Sequence, residues 1–235
     1  LNVSDLPMPQ DDLVFGEASK VAGKLAIESL KSSIAALKTG EIDALVTAPI
    51  NKETIQSEDF KFPGHTDYLA KKFDGNSLMF MVSESLKVAL VTDHIAVKDV
   101  PKLLSTELLR EKIQILENSL KQDFNIQRPK IALLGLNPHT GDKGVIGKED
   151  DQVIRPLIKE MSAIGHLING PYAADSFFGH KTYHQFDAVL AIYHDQGLIP
   201  FKTLTFGEGV NYTAGLSRIR TSPDHGTAFE IAGKG

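Results

Sequence analysis

Apolar residues recur every three or four positions from residue 17 to residue 37, at Val21, Ala22, Leu25, Ile27, Leu30, Ile34 and Leu37. That spacing predicts one buried face of an amphipathic helix over Glu17–Leu37, and Gly40 stands where a helix-terminating glycine belongs. Ser105 and Glu107 open a second helix that runs to about Lys121, with a stripe of Leu108, Leu109, Ile113, Ile115, Leu116 and Leu120. A third is expected over about Glu149–Ile164, ended by Gly165. Between the helices lie short apolar runs at Ala44–Thr47, Leu78–Val82, Val88–Thr92, Lys130–Leu136 and Ala188–Tyr193. Strands with no polar face are buried on both sides, so the alternation predicts an α/β fold, a parallel sheet with helical layers on both faces. Gln122–Pro129 is the best crossing between lobes, giving a first α/β lobe over 1–123 and a second, with the active-site loops, over 124–235.

Composition narrows the class. The chain has 235 residues, 42% hydrophobic and 23% charged, with a net charge of −5. This is enough apolar content for a sizeable core and excludes disorder as the dominant state. A pI near 5.9 argues against a nucleic-acid partner. No uncharged apolar run approaches the roughly 18 residues of a membrane span, so no membrane partner is expected. With no cysteine, thiolate metal sites and cysteine nucleophiles are excluded, and a reducing, cytoplasmic compartment fits. The chain opens at Leu1 and stops at Gly233-Lys234-Gly235, which suggests a piece of a longer protein.

The chemistry-bearing residues fall where strands end, the place where open α/β sheets bind ligands. Val88–Thr92 leads into Asp93-His94, Lys130–Leu136 into Asn137-Pro138-His139, and Ala188–Tyr193 into His194-Asp195. Three imidazoles delivered this way are candidate ligands for a divalent metal, with Asp93 and Asp195 as supporting carboxylates; alternatively each histidine caps its own strand end. Four further clusters stand out. Phe62–Asp67 holds His65 and Thr66, donors for an oxyanion, in what is otherwise an ordinary Pro-Gly turn and helix cap. Asn137–Gly147, with three glycines and Lys143, is a polar loop but not a P-loop. Lys202, Asn211 and Arg220 recur nine residues apart in a stretch that suggests irregular backbone, and the two cations are either anion ligands or solvated surface charge. Asp224-His225-Gly226-Thr227 is a candidate anion or nucleotide loop in which Gly-Thr opens a helix. No Gly-x-Gly-x-x-Gly fingerprint supports a Rossmann site. His166, His180 and His184 read as surface residues.

Seven stretches together carry a resemblance: Val46–Lys52 (VTAPINK), Pro63–Ala70 (PGHTDYLA), Ala89–Val97, Leu134–Asp150 (LGLNPHTGDKGVIGKED), Gly170–Phe178, Asp187–Lys202 (DAVLAIYHDQGLIPFK) and Gly209–Gly235. Nearly the whole chain resembles, in order, the 4-hydroxythreonine-4-phosphate dehydrogenase family of pyridoxal phosphate biosynthesis. The resemblance implies a two-lobed α/β/α fold similar to isocitrate and isopropylmalate dehydrogenases. It implies a homodimer with a shared active site, NAD as cofactor, and one divalent metal (Zn, Mg, Co or Mn) held by residues of both subunits. By motif match His94, His139 and His194 correspond to metal ligands. His65, Thr66, Lys202, Asn211 and Arg220 correspond to substrate-binding residues, and Asp224–Thr227 to a nucleotide loop. Asp175 matches an acidic position near the family's site. The family's opening strand and its segment after GKG are missing from the chain.

The resemblance further implies oxidation of 4-phosphooxy-L-threonine to a β-keto acid that decarboxylates to 3-amino-2-oxopropyl phosphate. Asp175, Asp195 and Lys202 are the candidate catalytic bases. Two alternatives stay open: a paralogous dehydrogenase of D-threonate or D-erythronate 4-phosphate, and a metal-dependent hydrolase using three histidines and an activated water.

Overall fold

The computed structural model describes residues 13–58, 60–62, 64–73, 75–205 and 207–234, with Asp67 described by its backbone alone. Pro63, the Asp67 side chain and Gly235, which belong to clusters singled out above, lie outside the described residues. In chain order the elements are α1 (Lys20–Thr39), β1 (Ala44–Val46), α2 (His65–Lys72), β2 (Leu78–Val82), β3 (Lys87–Leu90), α3 (Val100–Leu103), α4 (Thr106–Gln122), β4 (Lys130–Leu134), α5 (Arg155–Ala163), β5 (Leu167–Tyr172), α6 (Ala174–Gly179), β6 (Ala188–Ala191), α7 (His194–Leu204), β7 (Val210–Ala214) and β8 (Ile219–Pro223). Contacts group them into two compact units, Leu78–Gly215 and Leu1–Ser77 with Leu216–Gly235.

The larger unit carries strands in the order β7-β2-β3-β6-β4-β5. β3, β6 and β4 are parallel, as their unbroken apolar runs predict, and β5, which no apolar run marks, adds in parallel beside β4, but β2 runs antiparallel to both β3 and β7. The sheet is therefore mixed rather than parallel throughout. The reason lies in the short Ser83–Leu86 connection, where Ser83 accepts and donates with Leu86 and folds β2 straight back onto β3. Alternate residues on each strand face opposite layers. Leu78, Phe80, Ile131, Leu133, Ala188 and Leu190 pack with Leu109, Ile113 and Leu116 of α4 and Leu157 of α5. Met81, Val88, Leu134 and Val189 pack with Phe177 of α6 and Leu198 and Phe201 of α7. Each fully buried large apolar side chain contributes roughly 1.5–3 kcal/mol.

In the smaller unit α1 is capped at both ends as its sequence predicts. Ser19 accepts the Ala22 N–H at 3.1 Å, and Gly40 adopts φ 78°. Its buried face, Ile27, Leu30, Ile34 and Leu37, packs on Leu45, Ile55, Phe60 and Leu69. β1 pairs in parallel with β8, Leu45 opposite Arg220.

The unit boundaries differ from the 1–123 and 124–235 lobes expected from the sequence. The Gln122–Pro129 stretch is not a crossing, because Phe124 and Ile126 pack onto the core of the larger unit and Phe124 stands edge-on to Phe80 and Tyr212, with ring centroids 5.5 Å from each. The segment around Asn211 and Arg220 is not irregular backbone either; it forms β7 and β8.

Candidate functional site

In the larger unit β3, β6 and β4 are consecutive parallel neighbours, so their carboxyl ends emerge side by side. Adjacent strands lie about 4.8 Å apart. The three histidines named from the sequence follow these three strand ends. His94 and His194 face each other with ring centroids 5.9 Å apart. His194 is the first residue of α7, and its Nδ1 lies 2.7 Å from Asp195 Oδ1. Asp93 Oδ1 accepts the His94 backbone N–H at 2.7 Å. The His94 ring, Nδ1 3.7 Å from Asp93 Oδ2, with help from that N–H, holds the Asp93 carboxyl down at about 2.

His139 leaves β4 by another route. From His139 to Lys143 the backbone stays in the left-handed region, with φ between 44° and 82°. Only Gly141 is a glycine, and each non-glycine there gives up roughly 1–2 kcal/mol. The turn is braced by Asp150, whose side chain is buried without exposure. Its Oδ1 accepts the Leu136 N–H at 2.9 Å, and its Oδ2 accepts the Asn137 N–H at 3.1 Å and Asn137 Nδ2 at 2.9 Å. Gln196 ties the neighbouring strand ends together: Oε1 accepts the Ile192 N–H at 2.7 Å, and Nε2 donates to the Gly135 carbonyl at 2.6 Å.

A cavity of about 540 Å³ opens here, lined by His139 and Asn137 after β4, Asp175 and Phe178 of α6, and Asp195 and Ile199 of α7, among others. The structure thus brings His139, Asp175 and Asp195 together around one space. Lys202, His94 and His194 are outside its lining, and Lys202 is exposed further along α7. Among the described residues no three His, Asp or Glu side chains form a group able to hold a metal ion. His94 and His194 make a pair, and His139 stands apart on its turn.

The smaller unit holds a different chemistry. Arg220, on β8, is buried, and donates through Nη2 at 2.7 Å and Nε at 3.2 Å to Thr47 Oγ1. Burial pulls its pKa down to about 10. His65 opens α2, and burial together with the nearby Arg220 cation pushes its imidazole down to about 4. His65 is therefore neutral at pH 7, beside a cation, with Thr66 on the same helix turn. Surface solvation, one option for Arg220, is not what the structure shows. Asp224–Thr227 is a bend in which His225 Nδ1 lies 2.8 Å from the Gly226 carbonyl, and only a short 3₁₀ turn, Phe229–Ile231, follows. Among the described residues no helix opens at Gly226-Thr227, in contrast to the expectation from the sequence. Asn211 lies half-buried on β7 of the larger unit, opposite Met81.

Sequence reasoning passed over Asp150, Gln196 and Thr47. The available signals were a carboxylate soon after a glycine-rich loop, an amide two residues beyond a strand-end histidine, and a hydroxyl at the end of an apolar strand. His166, read as a surface residue, is half-buried and paired, Nδ1 2.6 Å from Glu117 Oε2. His180 and His184 are exposed.

Fold and site define an α/β protein with histidines and carboxylates gathered at the carboxyl edge of its sheet, the usual ligand position of this class. The model of the family described as pyridoxal phosphate biosynthetic protein PdxA matches residues 1–235. A 4-hydroxythreonine-4-phosphate dehydrogenase of Bacteroides thetaiotaomicron is 53% identical over 230 residues, covering 96% of this chain and 63% of that protein. One of Sulfurihydrogenibium sp. is 43% identical over 100% of this chain and 71% of its own length. The crystal structure of the Klebsiella pneumoniae 4-hydroxythreonine-4-phosphate dehydrogenase matches with TM-score 0.82 and 38% identity, over 92% of this chain and 66% of that one. The chain belongs to the PdxA family, and it spans 63% of the Bacteroides relative's length. Among the described residues no helix is long and apolar enough to cross a membrane.

Proposed function

We propose that the protein oxidises 4-phosphooxy-L-threonine with NAD, in a divalent-metal-dependent reaction whose β-keto acid product decarboxylates to 3-amino-2-oxopropyl phosphate, in the cytoplasm. The observation that carries this reading is the adjacency of β3, β6 and β4, which sets three histidine-bearing strand ends beside a cavity lined by Asp175 and Asp195. The relatives' names supply the substrate.

Imidazoles and carboxylates are the residue types that ligate a divalent ion, and within one chain the described residues bring two of the three histidines face to face. His194 is oriented by Asp195 through Nδ1, which leaves Nε2 as the ligand atom, and the His94 ring faces it at 5.9 Å. With His139 set apart, a homodimer sharing its sites would complete the ligand set across two chains. When bound, such an ion would supply positive charge at the reacting hydroxyl, and a nicotinamide would supply the hydride acceptor. Asp195 is committed to His194, whereas Asp175 is exposed on the cavity wall, its carboxylate accepting a long hydrogen bond from Ser176 Oγ at 3.4 Å. Asp175 is therefore the favoured proton acceptor of the three candidate bases. In the smaller unit Arg220, neutral His65 and Thr66 recognise phosphate or carboxylate. Lys202 and Asn211 are assigned to substrate binding on the motif match alone. Asp224, His225, Gly226 and Thr227 contact the cofactor on the motif match alone.

The test is NADH formation at 340 nm by the full-length protein, with 4-phosphooxy-L-threonine and then D-threonate and D-erythronate 4-phosphates, each with and without a chelator. Turnover of the first, abolished by chelation, is expected, and His139→Ala should lose activity by about 100-fold or more. Turnover of the sugar-acid phosphates alone would move the substrate assignment, and near-normal activity of His139→Ala would overturn the role of that histidine.

A further inference from the structure

We infer that Asp150 is a positioning residue for His139, an inference that rests on the functional reading of that histidine. Asp150 is outside the lining of the cavity described above, yet it is a fully buried carboxylate that spends both oxygens on the segment leading to His139. Three N–H donors, two from the backbone of Leu136 and Asn137 and one from the Asn137 amide, converge on it from 13 and 14 residues upstream. The clasp closes the chain between residues 137 and 150 into a loop, and the left-handed turn that carries His139 begins two residues after its anchored end.

The packing around the carboxylate is specific for its size and charge. A Cβ added at Gly135 would stand 2.6 Å from Asp150 Oδ1, and one added at Gly141 would stand 3.6 Å from Oδ2 and 2.4 Å from the Gly147 carbonyl. The two glycines leave the space that the carboxylate occupies. An asparagine offers one acceptor oxygen where three donors converge, and turns an NH₂ group toward at least one N–H. Arg155 adds a brace from the far side, Nη2 donating to Thr140 Oγ1 at 2.8 Å. A buried carboxylate that reads backbone N–H groups at the root of a left-handed turn fixes where the next side chain points. Here that side chain is His139, on the cavity wall.

The experiment is a double-mutant cycle of Asp150→Asn and His139→Ala in the full-length protein, read by Co²⁺ affinity from visible absorption and by kcat. Amide hydrogen exchange over residues 135–144 of the wild type is measured alongside. If Asp150 acts through His139, Asp150→Asn lowers Co²⁺ affinity and kcat by roughly 10–100-fold alone, and by less than about threefold in the His139→Ala background. Equal losses in both backgrounds would show a general structural role and overturn the inference. The Leu136 and Asn137 amides of the wild type should be protected. Exchange at free-peptide rates would overturn it as well, even if Asp150→Asn does not fold. If the wild type fails to oxidise 4-phosphooxy-L-threonine, the functional reading falls, while the Co²⁺ cycle and the exchange data still decide the role of Asp150.

Discussion

Lowering the pH from 8 to 5 should destabilise the folded protein through His65 in particular. Burial and the Arg220 cation push this imidazole from the ordinary 6.5 to about 4. In the unfolded chain it takes up a proton as the pH falls through 6.5, whereas in the folded chain it stays neutral until about pH 4. The unfolded state thus binds more protons across that window, so stability falls as pH falls from 6.5 to 4 and this group adds no further loss below it. The whole gap corresponds to about 3 kcal/mol, and at pH 5 about 2 kcal/mol of it is already lost. Urea unfolding at pH 8, 6.5, 5.5 and 5 measures the loss, and His65→Gln, which cannot titrate, should shed about one proton's worth of pH slope. The imidazole Cε1–H resonance of His65, followed by NMR, should show no midpoint above pH 5. A midpoint near 6.5, or an unchanged pH slope in His65→Gln, would refute the burial and the proximity of Arg220 on which the reasoning rests.

Two further outcomes follow from packing in the smaller unit. Thr47→Val keeps the shape but removes the oxygen that accepts two N–H groups from buried Arg220. It should cost ~1.5–3 kcal/mol in urea unfolding at pH 7, and an unchanged curve would show that the pair contributes nothing. Gly23→Ala places a Cβ 2.1 Å from the Thr54 carbonyl, where α1 lies directly on the turn after Asn51. Despite alanine's better helix propensity, it should destabilise by about 1–3 kcal/mol, and a rise in melting temperature would contradict that close approach.

How far the site was legible follows from the range of the forces that build it. His94, His139 and His194 could be named because each follows an apolar run, and runs of that kind are local signals. That their strand ends are neighbours could not be read, since it depends on β6 entering between β3 and β4, pairings that join residues 101 and 57 positions apart. Asp150 escaped notice because a carboxylate after a polar loop looks like a surface residue until its three donors are located. Arg220 could not be told from a solvated cation by its local sequence, because its acceptor, Thr47, stands 173 residues away.

The elements divide along the same line. α1 and α4 carry their caps and apolar stripes within a few turns of chain, and β2, β4 and β6 are apolar enough to be buried wherever they go, so these were determined by the sequence itself. α7 was not: it contains Gly197 and Pro200, poor helix residues. Its place is secured by packing, because Gly197 lets the helix approach Leu90, Val88 and Ala191, where an added Cβ would lie 2.8–3.0 Å away. β7 and β8 are polar and glycine-flanked, and become strands by pairing with β2 and β1. Local periodicity fixes which segments must hide from water. Only the tertiary structure decides which strand ends become neighbours, and with them which polar side chains are buried, paired and brought to bear on one cavity.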